Sequence, residues 1–168
     1  DLSPVVIYET DGELRLTYAN HRAREVFGYS KEDLEAGIDG WMIIAEEDHE
    51  RVMENFHRRL QGEDIGLQEY RGRRKDGSLF PMLLQSVPVL QAGKMIGTRG
   101  IVIDITERKQ AEEQAKEMLN FLQTLIDTIP SPIFCKDIQG CYLDCNREFE
   151  AYTGLKKEEI IGRRAQEL

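Results

Sequence analysis

Ile101-Val102-Ile103-Asp104-Ile105-Thr106 decides how the rest of the 168-residue chain is read. The β-branched residues before Asp104 make a buried strand. Asp104 and Thr106 break that run. Thr106 is placed to cap a helix by accepting a hydrogen bond from a free amide of its first turn. From Glu107 the pattern turns helical. A core strand therefore passes straight into an exposed rod, and Asp104, Ile105 and Thr106 form a candidate relay between them.

Working outward from this junction, residues 65–74, 79–90 and 95–105 read as three long strands. They are joined at Lys75-Asp76-Gly77-Ser78 and near Ala92-Gly93-Lys94. Residues 46–60 read as a helix, with acids in the first turn, Arg58 and Arg59 in the last, and Gly62 as a stop. Further upstream, residues 5–8 and 14–19 are strands around the Asp11-Gly12 turn. Asn20 caps a short helix over His21–Phe27 that Gly28 closes, and Ser30 caps a further turn over residues 31–35. Two strands, helices and a three-strand meander predict an α+β fold, a five-stranded antiparallel sheet with helices on one face.

A net charge of −9 argues against general nucleic-acid or anionic-membrane binding, since both require cationic surface. Arg71, Arg73, Arg74 and Lys75 cluster, but Asp76-Gly77 follows at once, and the cluster reads as a solvated hairpin tip. No apolar run is long enough to span a bilayer. The chain begins directly on strand-like residues, so it is expected to be a cytoplasmic piece of a longer polypeptide whose parent can still be membrane-anchored. Cys135, Cys141 and Cys145 are odd in number and match neither a disulfide framework nor a zinc pattern, so reduced thiols are expected.

The most informative global feature is an internal repeat. Ser3-Pro4-Val5-Val6 returns as Ser131-Pro132-Ile133-Phe134. Leu16-Thr17-Tyr18-Ala19-Asn20 returns as Tyr142-Leu143-Asp144-Cys145-Asn146, and Gly28-Tyr29-Ser30 as Gly154-Leu155-Lys156. The second copy ends at Leu168, before its remaining strands. Three segments follow: residues 1–106, a connector at 107–128, and an incomplete second copy at 129–168. The second copy's hairpin lacks partner strands, so it is expected to be disordered or paired with another chain.

Asn20 followed by Phe27-Gly28-Tyr29, then Arg73-Arg74-Lys75-Asp76-Gly77-Ser78-Leu79-Phe80-Pro81, then Gly100-Ile101-Val102-Ile103-Asp104-Ile105-Thr106-Glu107-Arg108-Lys109, together resemble the PAS domain family, the sensory module of bacterial signalling proteins. The last string resembles the terminal "DIT" signature, which in that family couples the sheet to an output helix. The resemblance covers residues 1–106 in full and the first third of a second domain at 129–168. One departure lies at Ala45-Glu46-Glu47-Asp48, where the family often has His-Pro-Glu-Asp.

In the connector, Ala111, Ala115, Met118, Leu122, Leu125 and Ile129 repeat at alternating spacings of four and three, a heptad seam. Met118, Leu122 and Leu125 are its strong part, and a parallel homodimer is expected through this helix. Leu79, Pro81, Leu83 and Val87 share one face of their strand; Phe80, Met82, Leu84 and Ser86 share the other. One face is expected to cover the core and the other to meet the connector or a second subunit.

No nucleophile elbow, phosphate loop, histidine-kinase phosphoacceptor box or nucleotide-cyclase signature is present, so no catalytic residue is assigned. A small-molecule pocket between the sheet and the long helix is expected to involve Phe56, Tyr70, Met82, Leu84, Ile101 and Ile103. Two cofactors are considered, and neither is adopted. His49 shares a helix face with Val52, Met53 and Phe56, and the resemblance to haem-binding PAS domains makes it a candidate axial ligand. Trp41 is a candidate for stacking on a flavin. The light-sensing branch of the family needs a cysteine near Asn20; the Asn20-His21-Arg22-Ala23-Arg24 stretch has none, which excludes its photoadduct chemistry. The reading is a sensing and relay module of a multidomain bacterial sensor, of the two-component histidine-kinase type. The alternatives are a ligand-free dimerisation module and the sensory part of a cyclic-dinucleotide signalling enzyme.

Overall fold

The computed structural model describes residues 4–168; Ser3, which opens the first copy of the repeat, lies outside them. The chain divides into two compact units, Asp1–Gln110 and Ala111–Leu168. The helix α4 (Thr106–Asp127) contributes residues to both.

In the first unit, β1 (Val6–Asp11) and β2 (Leu16–Ala19) form an antiparallel hairpin. Asp11 closes it, its Oδ1 accepting from the amides of Glu13 and Arg15. Asn20 then does three jobs. Its Oδ1 accepts from the amides of Ala23 and Ile7, and its Nδ2 donates to the carbonyl of Val5. It thus caps α1 (His21–Phe27) and ties that helix to β1. Gly28 ends α1 at φ 76°, the left-handed conformation that favours glycine. Ser30 and Asp33 form a reciprocal cap on α2 (Lys31–Ala36).

The long helix expected over 46–60 begins only at His49. Residues Glu46–Asp48 form a single 3-10 turn before α3 (His49–Leu60). The Asp48 carboxylate is divided between sheet and helix: Oδ2 accepts from the Arg71 amide at 2.7 Å and Oδ1 from Arg51 of α3 at 2.9 Å. The next strand also starts late, at β3 (Gln68–Arg73), because Asp64 accepts from the Gly66 amide in a local turn that takes residues 64–66 out of the ladder. β4 (Leu79–Gln91) and β5 (Lys94–Asp104) complete an antiparallel sheet of order β2-β1-β5-β4-β3.

β5 lies at the centre of this sheet, between β1 and β4. Leu84 pairs with Val102 and Leu83 with Ile103, so alternation sends Val102, Leu84, Met82 and Phe80 into the core. Leu79 and Val87 stay exposed on the outer face. Gly100 is required where it stands: a Cβ there would lie 2.5 Å from the Gln85 carbonyl oxygen and 2.5 Å from the Tyr8 hydroxyl.

The basic cluster is not a solvated tip. Arg71 engages Asp48, Arg73 donates to the Met42 carbonyl, and Lys75 pairs with Asp33. Arg74 donates to the Val26 carbonyl and to Asp104 while its guanidinium lies over the Phe80 ring. Each charge fastens β3 or the turn after it to a different part of the chain, and the hairpin tip is left to Asp76-Gly77.

The second unit repeats the opening of the first. β6 (Phe134–Lys136) and β7 (Tyr142–Cys145) pair, followed by α5 (Arg147–Thr153) and α6 (Lys157–Ile160). Asn146 matches Asn20: it accepts from the amides of Phe149 and Ile133 and donates to Ser131. In place of the expected disorder, this hairpin is folded, and one of its edges finds partners locally. The Tyr142 amide donates to the Arg163 carbonyl, the Gly162 amide donates back to Tyr142, and Tyr142, Cys145, Phe149 and Ile160 form a small core. The residues after α6 thus supply backbone partners at one edge of the hairpin.

Candidate functional site

Between α3 and the inner face of the first unit's sheet lies a cavity of about 330 Å³. Small-molecule sites run from roughly 300 to 1,000 Å³, so this one suits a compact ligand. The helix contributes Val52, Met53 and Phe56 from one face, as a spacing of one and four dictates. Tyr70, Met82, Leu84 and Val102 form the sheet wall; Trp41, Ile43 and Ile44 line it from the segment before α3.

The polar atoms on this wall are few and mostly paired. The hydroxyls of Thr10 and Thr98 are 2.8 Å apart, and the Thr98 amide donates to Thr10. Asn55 donates to the Tyr70 hydroxyl at 2.7 Å, leaving the phenol proton free to donate elsewhere. Burial pushes the Tyr8 phenol above its ordinary value, opposed by the Ser86 side chain and by the charge of Arg59. His57, Arg59 and Leu60, in the last turn of α3, also line the space.

Of the residues expected at the site, Trp41, Phe56, Tyr70, Met82 and Leu84 come together around this cavity. Ile101 and Ile103 do not. They sit half-buried on the opposite face of β5, and Val102 between them takes the inward position. A strand apolar on both faces conceals its phase, and only the register with β4 reveals it.

His49 is also outside the cavity. Its Nε2 lies 3.1 Å from the Ile44 carbonyl, to which it must donate, and its ring packs on Trp41 at 4.9 Å between centroids. That nitrogen is committed to the carbonyl and His49 is not among the residues lining the cavity, so nothing in this arrangement sets a haem against it. Sequence reasoning missed Tyr8, Thr98, Ser86 and Arg59. Tyr8 shares the inward face of β1 with Val6, a period-two signal that was legible; Arg59 follows Phe56 by three on α3. Among the described residues no cluster is suited to hold a metal ion, and no helix is long and apolar enough to cross a membrane.

At the end of the sheet, Asp104 is the residue that caps. Its Oδ1 accepts from both the amide and the hydroxyl of Thr106, at 2.9 and 2.6 Å. Thr106 therefore donates its hydroxyl backward and is the first residue of α4 instead of its cap, because the Asp104 carboxylate takes the free amide two residues on. The other carboxylate oxygen takes Arg74 at 2.9 Å. Burial works against the charged form, but Thr106 and Arg74 outweigh it and hold the Asp104 carboxyl below the usual range. Ile105 is buried, and its amide donates to the Pro81 carbonyl, extending the β4 ladder to the helix start. Lys109 reaches Glu69 on β3 at 2.8 Å. The first turn of α4 is thus fastened to the sheet from two sides.

Beyond that turn no residue of α4 is fully buried, and Met118, Leu122 and Leu125 are 57%, 50% and 45% exposed.

A family model for the PAS fold matches residues 16–102, and a second PAS-fold model matches residues 120–168. The virulence sensor protein BvgS of Bordetella pertussis is 34% identical over 59 residues, which are 35% of this chain and 5% of that protein. The chain therefore matches a small fraction of the length of its curated relatives. Among solved structures, a PAS domain from Colwellia psychrerythraea is 26% identical with a TM-score of 0.57, over 64% of this chain and 91% of that one. A sensory box histidine kinase/response regulator from Burkholderia thailandensis E264 gives 0.56 at 20% identity, over 72% of this chain and 92% of that one, a likeness that speaks for the fold alone.

Proposed function

The chain belongs to the PAS family, and from that premise we propose that it is the sensing and relay part of a larger bacterial sensor of the histidine-kinase type. A small molecule enters the cavity beneath α3. It alters the packing of Val102 and its neighbours on β5, and the strand passes the change through Asp104, Ile105 and Thr106 to α4. The helix answers by altering its pairing with the same helix of a second copy.

One observation carries this reading. Val102 lines the cavity, and two residues later the same strand holds Asp104, which caps α4. Ligand space and output helix share one strand, so a ligand that packs differently against two positions of β5 is coupled to the helix. The match to BvgS, a sensor protein, supports the setting.

Native mass spectrometry with hydrogen–deuterium exchange on the whole chain tests it. The expected result is a retained small molecule and slower exchange at residues 101–110 in the bound species. A chain that never retains a molecule sinks the sensing half; a bound molecule with unchanged exchange beyond Asp104 sinks the relay half.

A further inference from the structure

The lining of the cavity says more about its ligand than its size does. On a chain of net charge −9, no Asp, Glu or Lys lines this space, and Arg59 is the one residue there with a permanent charge. The other arginines of α3 have carboxylates: Arg51 pairs with Asp48 and Arg58 with Glu63. Arg59 has no carboxylate partner among the described residues. Its Nη2 donates to the Gly66 carbonyl at 2.6 Å, which leaves most of its five N–H donors uncommitted. It is half-buried, so its charge is partly desolvated, and it acts on the Tyr8 phenol of the sheet wall.

We infer, resting on the reading of this cavity as the ligand site, that its ligand is an anionic amphiphile. A carboxylate-type head meets Arg59 at the α3 end, and an apolar body lies against Phe56, Met82 and Leu84. A guanidinium is matched to a carboxylate by its planar fork of donors. A cationic head would face Arg59 with no carboxylate to receive it. A neutral head would leave the half-buried guanidinium without its charged partner.

Three probes with one tail and different heads test this: octanoate, octanol and octylamine. Trp41 lines the cavity and is the chain's only tryptophan, so its fluorescence reports occupancy directly. On the unaltered chain octanoate is expected to bind on the order of tenfold more tightly than octanol, the worth of one charge-assisted hydrogen bond, and octylamine not to bind. Arg59→Gln is expected to bring octanoate down to the octanol level; Arg59→Lys, which keeps the charge and loses the planar fork, is expected to retain part of the preference. Equal affinity for octanoate and octanol on the unaltered chain overturns the anionic head and leaves the cavity reading standing. No response to any of the three overturns the cavity reading and this inference with it. The comparison on the unaltered chain decides the matter even if Arg59→Gln fails to fold.

Discussion

Asp48 and Asp104 are two small side chains that hold large elements in place. Asp48 fixes the start of α3 to β3 through Arg71 and Arg51, and Asp104 fixes the end of β5 to α4 through Thr106 and Arg74. For Asp48 burial again opposes ionisation, and the Arg71 amide, the Arg71 guanidinium and Arg51 together outweigh it. Both carboxyls are thus held below the value of about 3.9 that they take in an unfolded chain. A depressed folded value means the contribution is present above the unfolded value and is lost as pH falls through the folded one. Asp104→Asn is therefore expected to lower stability by about 1–3 kcal/mol at pH 7, as a charge-assisted hydrogen-bond set is weakened. Urea titrations at pH 7 and below pH 4 check this: the gap between the variant and the native chain should narrow in acid. A gap that stays constant would show that the charge of Asp104 is not what holds the junction.

At the scale of elements, α4 is held at its first turn by Lys109 and at its last by Asn146 and Arg147, while the apolar stripe between stays open. An isolated helix gains little in water unless it buries an apolar face. Its first turn is tied down by Ile105 and Lys109, but Met118, Leu122 and Leu125 lie open on one side. A second copy of the same helix fits that stripe, since the spacing is heptad and the apolar residues fall at its seam. Light scattering at micromolar concentration is expected to give a dimer. Leu122→Glu, which places a charge in the seam, is expected to shift the mass to that of the monomer. A native chain that is already monomeric, unaltered by the substitution, would remove the dimer from the proposal. The outer face of β4 and β5, with Leu79, Val87, Ile101 and Ile103, is the second apolar surface that such a dimer can use.

For the whole molecule the two units differ in the size of what they bury. The first gathers thirteen buried residues into its apolar core among the described residues, the second four. Burial of apolar surface sets most of the folding free energy, so the second unit is the weaker. Urea unfolding is expected in two steps. Far-UV circular dichroism, which sees both units, begins to change first; Trp41 fluorescence, which sees only the first unit, changes at higher urea. Coincident transitions would show that the two units unfold together.

The amino-acid pattern alone determined the α+β class, the five antiparallel strands, the repeated Asn-to-Gly helix, and the helix that follows Thr106. These depend on local periodicity and on caps and turns, which act within a few residues and are written there. It also named five residues of the cavity; Phe56 lies on the apolar stripe of α3, and Met82 and Leu84 share one face of β4. Tertiary structure decided the rest. Ile101-Val102-Ile103 is apolar throughout, and only pairing with β4 turns Val102 inward and its neighbours out. His49 follows the helical stripe, yet the Ile44 carbonyl and Trp41 claim it first. The arginines at the end of β3 and just beyond it look like a solvated run until Asp48, Met42 and Asp104 arrive from distant parts of the chain. Each of these outcomes is a choice between partners far apart in sequence, and no local pattern records which partner wins.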